Sequence, residues 1–316
     1  MEPAELAQIL EAIPGGPWRE FTMEAAPGTL REDLLKAWAS LGVNRVSLGV
    51  QSFVDRELRQ TGRRHNAAVV EADCRMLGAA GIPNFNIDLI AGLPHQTPES
   101  WEESLRWIER LHPPHVSVYM LEVDEDSRLG LEILGQGSRY GASAVASDDQ
   151  IVTTYERATR FLADAGIPRY EISNFARPGC ESLHNLKYWR MEPYLGFGVD
   201  AHSCDGKQRW GTPDELEPYL RAVEAGENPA RDIEPVRPLE ECFLTGLRLD
   251  AGLALDATAL PLALEQRIAD LDAGGLVEWN GSRLRLTARG LLISNEVFEQ
   301  FLGIDAELPA ETRLTK

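Results

Sequence analysis

Residues 84–94, NFNIDLIAGLP, alternate between apolar and polar positions. In an extended chain Phe85, Ile87 and Leu89 fall on one face, and Asn86 and Asp88 on the other. The period of two recurs in RVSLGVQS, where Val46, Leu48 and Val50 oppose Ser47, Gly49 and Gln51. It recurs again in FTMEAAP, where Phe21 and Met23 oppose Thr22 and Glu24. With HVSVYMLEV (115–123) and RYEISNFA (169–176) these make five strand-like segments, most of them separated by amphipathic helical stretches. That alternation predicts an α/β fold built on a parallel sheet.

The helical stretches carry their own punctuation. Thr97 is placed to cap a helix with Pro98 at its first position, and SWEESLRWIERL then sets Trp101, Leu105 and Ile108 on one stripe. DDQIVTTYERATRFLADAG predicts a second helix, stopped by Gly166 and Pro168. Between Leu129 and Ala146 a Gly/Ser-rich connection without periodicity predicts a surface loop. From about Glu234 the pattern changes to helix, turn, two short strands around Asn280-Gly281, then helix, the layout of a winged-helix-like α+β module. The expected organisation is therefore a partial barrel over 1–176, a linker and strand region over 177–233, and the C-terminal module over 234–316.

A sheet covered by helices on both sides needs two apolar faces, so the recurrent polar face implies a barrel lumen or a concave cleft. Glu24, Gln51 and Asp88 then cluster toward the strands' C-terminal ends, where α/β barrels keep their chemistry. Structural alternatives stand beside this one. The polar positions suit a strand with one wet face, Asp88 can pair with Arg63 as a buried ion pair, and Glu24 and Gln51 can be satisfied interior groups. In phase on consecutive strands, they suggest a site for a polar, zwitterionic or ribose-bearing ligand.

Composition narrows the partners. Lys plus Arg number 31 against 50 Asp plus Glu, a net charge of -19, which opposes binding to nucleic acid or anionic membrane. It also favours a packing or lid role for the C-terminal module over a DNA-binding one. No apolar run reaches membrane-spanning length and no signal peptide is visible, which predicts a cytoplasmic protein and leaves peripheral membrane contact open. Four cysteines, Cys74, Cys180, Cys204 and Cys242, lie far apart with no metal-binding spacing, and Cys74 is expected to pack in a helix.

VNRVSLGVQSF, RRHN, NIDLIAGLPHQTPESWEESL, YEISNFARPG, HNLKYW and YLGFGVDAHS, in that order, resemble the HemW family. This is the haem-chaperone group of radical S-adenosylmethionine (radical SAM) proteins related to oxygen-independent coproporphyrinogen III oxidase. The likeness covers nearly the whole chain. It implies an incomplete TIM-like barrel of the radical-SAM type with a winged-helix-like module behind it. Glu24, Gln51, Arg63 and Asp88 match the family's S-adenosylmethionine-contacting positions, and Glu122 falls at a further one. HNLKYW resembles the family's HNxxYW haem signature, which implies haem contacts at His184, Asn185, Tyr188 and Trp189. On a helix His184 and Tyr188 share a face, with Trp189 alongside. Aromatic packing of a linker is the competing account, and His202 is a second candidate imidazole. The implied partners are haem and a haem-acceptor protein.

The likeness fails in one respect. The family's Cys-x3-Cys-x2-Cys loop, which holds a [4Fe-4S] cluster, is absent from this sequence, as is its GGGTP stretch. Met1 aligns just past them. Either Met1 is an internal methionine of a longer protein or the chain is a shortened paralogue. Besides a haem chaperone, two readings are carried: a porphyrinogen decarboxylase of the coproporphyrinogen oxidase type, and a cluster-free acid–base enzyme using Glu24 and Asp88.

Overall fold

The computed structural model describes residues 1–13, 15–123, 128–137 and 139–307. The chain forms two compact units, Met1–Ser182 and a second from Leu183 onward, the break falling inside the 177–233 stretch.

The first unit runs α1 (Pro3–Ala12), β1 (Thr22–Ala25), α2 (Glu32–Ser40), β2 (Arg45–Gln51), α3 (Asp55–Gln60), α4 (Ala67–Ala79), β3 (Asn84–Ala91), α5 (Pro98–Leu111), β4 (His115–Met120), α6 (Arg128–Leu134), a 3-10 turn (Arg139–Ala144), α7 (Asp148–Asp164), β5 (Arg169–Glu171) and β6 (Asn174–Ala176). Its six-stranded sheet has the order β1-β2-β3-β4-β6-β5. The first four strands are parallel, as the strand–helix alternation predicts.

Two expectations change. RYEISNFA is not one parallel strand: it folds into β5 and β6, antiparallel to each other, with β6 antiparallel to β4. The turn between them is held by tertiary contacts. The Tyr155 hydroxyl on α7 donates to the Ile172 carbonyl, and Val118 N–H donates to the Ser173 carbonyl at 2.8 Å. The connection expected as a loop over 129–146 contains α6 and the 3-10 turn, position 138 lying outside the described residues. Both elements are too short for a period to register. The turn packs close because Gly141, at φ +74°, has no Cβ; one added there would stand 2.5 Å from Pro94 Cβ.

One face of the sheet is the core. Val46, Leu48, Val50, Ile87, Leu89, Val116 and Val118 are fully buried. Leu35 and Trp38 of α2, Val70 and Leu77 of α4, Trp101, Leu105 and Ile108 of α5, and Tyr155 and Leu162 of α7 are buried with them. Each large apolar side chain removed from water contributes roughly 1.5–3 kcal/mol. The helices start where capping chemistry allows: Thr97 Oγ1 accepts from Ser100 N–H at 3.2 Å, and Ser147 closes a reciprocal box with Gln150 on α7.

The opposite face is polar, and part of it is closed to solvent. Arg45, Asn86, His115, Ser117 and Asn174 are all buried. An antiparallel strand with a wet face is thereby excluded for β3.

The second unit contains α8 (Leu183–Trp189), β7 (His202–Cys204), β8 (Gln208–Gly211), α9 (Leu216–Glu224), β9 (Arg231–Pro235), α10 (Pro238–Gly246), β10 (Leu253–Ala254), α11 (Leu262–Ala273), β11 (Val277–Trp279), β12 (Arg283–Leu286), α12 (Ala288–Leu292), α13 (Ser294–Glu299) and α14 (Ile304–Glu307). Strands β7, β8 and β9 form one antiparallel sheet and β10, β12 and β11 another. The Asn280-Gly281 hairpin forms as predicted, with Gly281 at φ +87°. The single helix expected after it is two, broken at Ile293. Gly290 in α12 presses on the Leu276 carbonyl, leaving no room for a Cβ. Phe243 and Phe301 stack at 4.1 Å in the core. Among the described residues no helix is long and apolar enough to cross a membrane.

Candidate functional site

A cavity of about 320 Å³ opens on the polar face of the first unit, lined by Glu24, Ser47, Gly49, Gln51, Arg63 and Asp88 among others. The four positions Glu24, Gln51, Arg63 and Asp88 thus meet at one place. Glu24 stands exposed at its rim on edge strand β1, while Asp88 is half-buried on β3. Gln51 ends β2 at φ +71°, where the β2–β3 register shifts. A non-glycine residue in that conformation is held against its own preference by its surroundings. Gly49 lies under it: a Cβ there would stand 3.3 Å from Gln51 Nε2 and 3.9 Å from Arg63 Nη1.

Arg63 comes from the connection between α3 and α4. His65 clips that connection to the sheet through a 3.1 Å hydrogen bond between its Nε2 and the Val50 carbonyl. Burial and the nearby Arg63 lower the His65 pKa, although the carbonyl bond opposes them, so the ring is neutral and Nε2–H is the donor. Glu122 lies exposed beyond β4 and does not line the cavity.

Asp88 does not form the ion pair with Arg63 that burial alone would demand. Its Oδ1 accepts from Asn86 Nδ2 at 2.6 Å, and the second hydrogen of that amide goes to Ser47 Oγ at 2.8 Å. Asn86 Oδ1 in turn meets His115 Nδ1 at 2.7 Å, and His115 Nε2 meets the Tyr170 hydroxyl at 2.9 Å. A side branch runs from Ser117 Oγ to Asn174 Oδ1 at 2.7 Å, and Asn174 Nδ2 donates to Glu171. The sheet register explains the grouping. Glu24, Ser47, Asn86 and His115 are successive cross-strand partners, and Asp88, Ser117 and Asn174 form the row above.

Burial is the main influence on Asp88 and raises its pKa; the Ser117 and Asn86 contacts lower it, Glu24 raises it and Arg45 lowers it. Burial and the Arg45 charge push His115 down to about 3, so this imidazole is neutral at ordinary pH. Tyr119, beside Asp88, is raised chiefly by burial. The cavity therefore combines two carboxyls and one guanidinium. Such a set accepts from hydroxyls and ammonium groups and forks onto a carboxylate.

The HNLKYW residues lie on α8 in the second unit. His184 is exposed, and its ring meets Tyr188 edge-on at 4.9 Å; Tyr188 meets Tyr194 at 4.6 Å. Tyr188 and Trp189 line a cavity of about 490 Å³ with Met191, Tyr194, Cys204 and Val236. Arg248 lies over the Trp189 ring at 4.5 Å. His184 and Asn185 do not line that cavity. His202 lines a different, larger cavity of about 810 Å³, where Asp214, Asp232, Glu234 and Glu240 make the wall acidic.

The four cysteines are free thiols. Cys74 sits on α4, as expected, and burial raises it to about 12. Among the described residues no three His, Cys, Asp or Glu side chains gather as a metal site.

His115, Ser117, Tyr170 and Asn174 are the residues sequence reading passed over. His115 and Ser117 alternate with Val116 and Val118, so the period that exposed Asp88 was present on β4 as well. Tyr170 and Asn174 carried no such signal, because β5 and β6 are three residues each.

Residues 2–108 match the family model of the radical SAM superfamily. The heme chaperone HemW of Bacillus subtilis is 34% identical over 313 residues, covering 95% of this chain and 81% of its own. HemW of Escherichia coli is 37% identical over 295 residues, covering 90% and 75%. Among solved structures, the coproporphyrinogen III oxidase HemN of Escherichia coli, a radical SAM enzyme, superposes with a TM-score of 0.80 at 23% identity, over 98% of this chain and 75% of that one, a likeness of fold. Shared sequence at that level over nine-tenths of its length means that the chain belongs to the HemW family of radical SAM proteins.

Proposed function

We propose that the chain is a haem-binding protein that passes haem to an acceptor protein, with S-adenosylmethionine held on the polar face of the first unit. What carries the reading is the convergence of Glu24, Gln51, Arg63 and Asp88 on one cavity in a chain whose relatives are heme chaperones. Glu24 and Asp88 would accept from ribose hydroxyls or the amino group, and Arg63 would fork onto the carboxylate. Gly49, having no Cβ, lets the Gln51 amide and the Arg63 guanidinium lie close over the cavity floor. When bound, S-adenosylmethionine supplies a sulfonium cation, which the two carboxyls favour electrostatically.

The [4Fe-4S] cluster of the superfamily does not fit the residues described, since no ligand set for it exists among them, and no step of this proposal passes through one. In this reading the six-stranded sheet is part of a TIM-like barrel. The module from α11 onward is a winged-helix-like packing element, and the free thiols suit a cytoplasmic location.

Haem contacts are assigned to His184, Asn185, Tyr188 and Trp189 on α8. The exposed imidazole of His184 is accessible as an axial ligand, and Tyr188 and Trp189 offer flat apolar surface. A spectroscopic haem titration tests the assignment. His184→Ala is expected to shift the absorption maximum and weaken binding, and a spectrum superimposable on wild type removes His184 from the site. An anaerobic assay for carbon dioxide released from coproporphyrinogen III is expected to be negative.

A further inference from the structure

The hydrogen bonds on the polar face have a determinate direction. Both hydrogens of the Asn86 amide are assigned, one to Ser47 and one to Asp88, so its Oδ1 can only accept. Ser117 Oγ reaches that oxygen at 3.3 Å, but His115 Nδ1 stands closer, at 2.7 Å, and must carry its proton there, since a bare Nδ1 would set lone pair against lone pair. A neutral imidazole with Nδ1–H has a bare Nε2, which must accept from the Tyr170 hydroxyl. The Tyr170 oxygen accepts in its turn from the Ser182 N–H at 3.2 Å. Reversing the Asn86 amide would point its oxygen at the Asp88 carboxylate, oxygen against oxygen.

We propose that Tyr170, His115 and Asn86 are positioning residues for Asp88. Their one-way chain of hydrogen bonds, from the Ser182 amide to Asp88, fixes the carboxylate as a directed acceptor in the 320 Å³ cavity. None of the three lines that cavity. They act through Asp88 and give it a donor without neutralising its charge, as an arginine would. The ligand they select is one that brings hydrogen-bond donors or positive charge to Asp88. The proposal rests on the reading of the cavity as an S-adenosylmethionine site.

Several titratable groups face this chain: Arg45 from β2, Glu24 from β1, Glu20 just before β1, Glu171 from β5 and the neutral phenol of Tyr119 from β4. The buried Arg45 opposes a second positive charge on His115 and so keeps the imidazole in the form the chain requires.

Three measurements on the full chain test this. Nitrogen NMR of histidine-labelled protein, with His115 assigned by its loss in His115→Phe or His115→Gln, is expected to show a protonated Nδ1 and a bare Nε2 unchanged from pH 5 to 8. A proton on Nε2, or an imidazolium, overturns the proposal, and this spectrum decides on wild-type protein. Carboxyl-carbon NMR, with Asp88 assigned by its loss in Asp88→Asn, is expected to place the Asp88 midpoint about one pH unit higher in His115→Phe than in wild type. An unmoved midpoint in a folded variant overturns the proposal. His115→Gln, which keeps one N–H and one acceptor oxygen, is expected to restore most of the difference, and a Gln variant shifted as far as Phe counts against it. Calorimetric titration with S-adenosylmethionine at a pH below both Asp88 midpoints read by NMR is expected to show His115→Phe binding about tenfold more weakly, since there a one-unit rise in pKa lowers the ionised fraction tenfold. Should wild-type protein not bind S-adenosylmethionine, the cofactor reading falls, while the two NMR measurements still decide the positioning role.

Discussion

Two cavities, one in each unit, are built on opposite plans. The 320 Å³ cavity of the first unit takes its walls from alternate positions of consecutive strands and the loop that carries Arg63. The 490 Å³ cavity of the second draws Tyr188, Trp189, Cys204, Val236 and Thr245 from elements spread over more than fifty positions of chain. A parallel sheet lines up side chains of like parity from strand to strand, so a polar residue at every second position of three strands makes a wall. The second cavity has no such rule. Its aromatic and sulfur-bearing residues become neighbours only because α8, two strands and α10 fold around them.

Substitutions can break that contrast, the strongest first. Ile87→Asp puts a charge on the core face of β3, one residue from Asp88, and is expected to cost about 4 kcal/mol or more in urea unfolding of the first unit. A loss below about 1 kcal/mol would mean that the two faces are not chemically distinct. Trp189→Ala removes a wall of the second cavity and the ring under Arg248, with an expected loss of about 3 kcal/mol. Differential scanning calorimetry would read it, and an unchanged profile would make that cavity a passive surface.

Ligand binding gives a smaller effect. Arg63→Ala is expected to weaken S-adenosylmethionine binding by about thirtyfold through loss of its charge-assisted hydrogen bonds, with unfolding unaltered. Equal affinities by calorimetry would detach Arg63 from the ligand. Gly141→Ala, at φ +74° and facing Pro94, is expected to cost about 1–2 kcal/mol although it touches neither cavity. A neutral result would show that the turn can move away from Pro94.

The smallest effect turns on pH. The folded pKa of Asp88 is raised by burial, so the folded state binds its proton more tightly than the unfolded chain does. Its contribution therefore falls as pH rises through the folded value. Asp88→Asn is expected to raise the unfolding midpoint slightly at pH 8 and to lose that advantage as Asp88 protonates in wild type. His115 works in the opposite sense. Its folded value near 3 lies below 6.5, so its contribution is lost progressively as pH falls below about 6.5. A wild type more stable at pH 5 than at pH 8, with Asp88→Asn indifferent to pH, would mean that His115 matters less than Asp88.

Legibility followed element length. Four strands of four to eight residues, and two helices with caps at Thr97 and Ser147, carried enough periods to be read. The antiparallel pair β5–β6, at three residues each, and the seven-residue α6 did not. The same limit governed the site. Glu24, Gln51 and Asp88 were found by phase on strands, whereas Tyr170 and Asn174 required the antiparallel return of β6 beside β4 to bring them to the polar face.

The sequence by itself determined which face of each early strand is apolar, because side-chain direction alternates with position whatever the chain packs against. With that it determined the family and the four residues that face the first cavity. Only the tertiary structure decided how Asp88 is satisfied, since a half-buried carboxylate must find a donor and nothing local distinguishes Arg63 from Asn86 as the source. It also decided which groups the two His115 ring nitrogens meet, Asn86 and Tyr170, far from it in sequence.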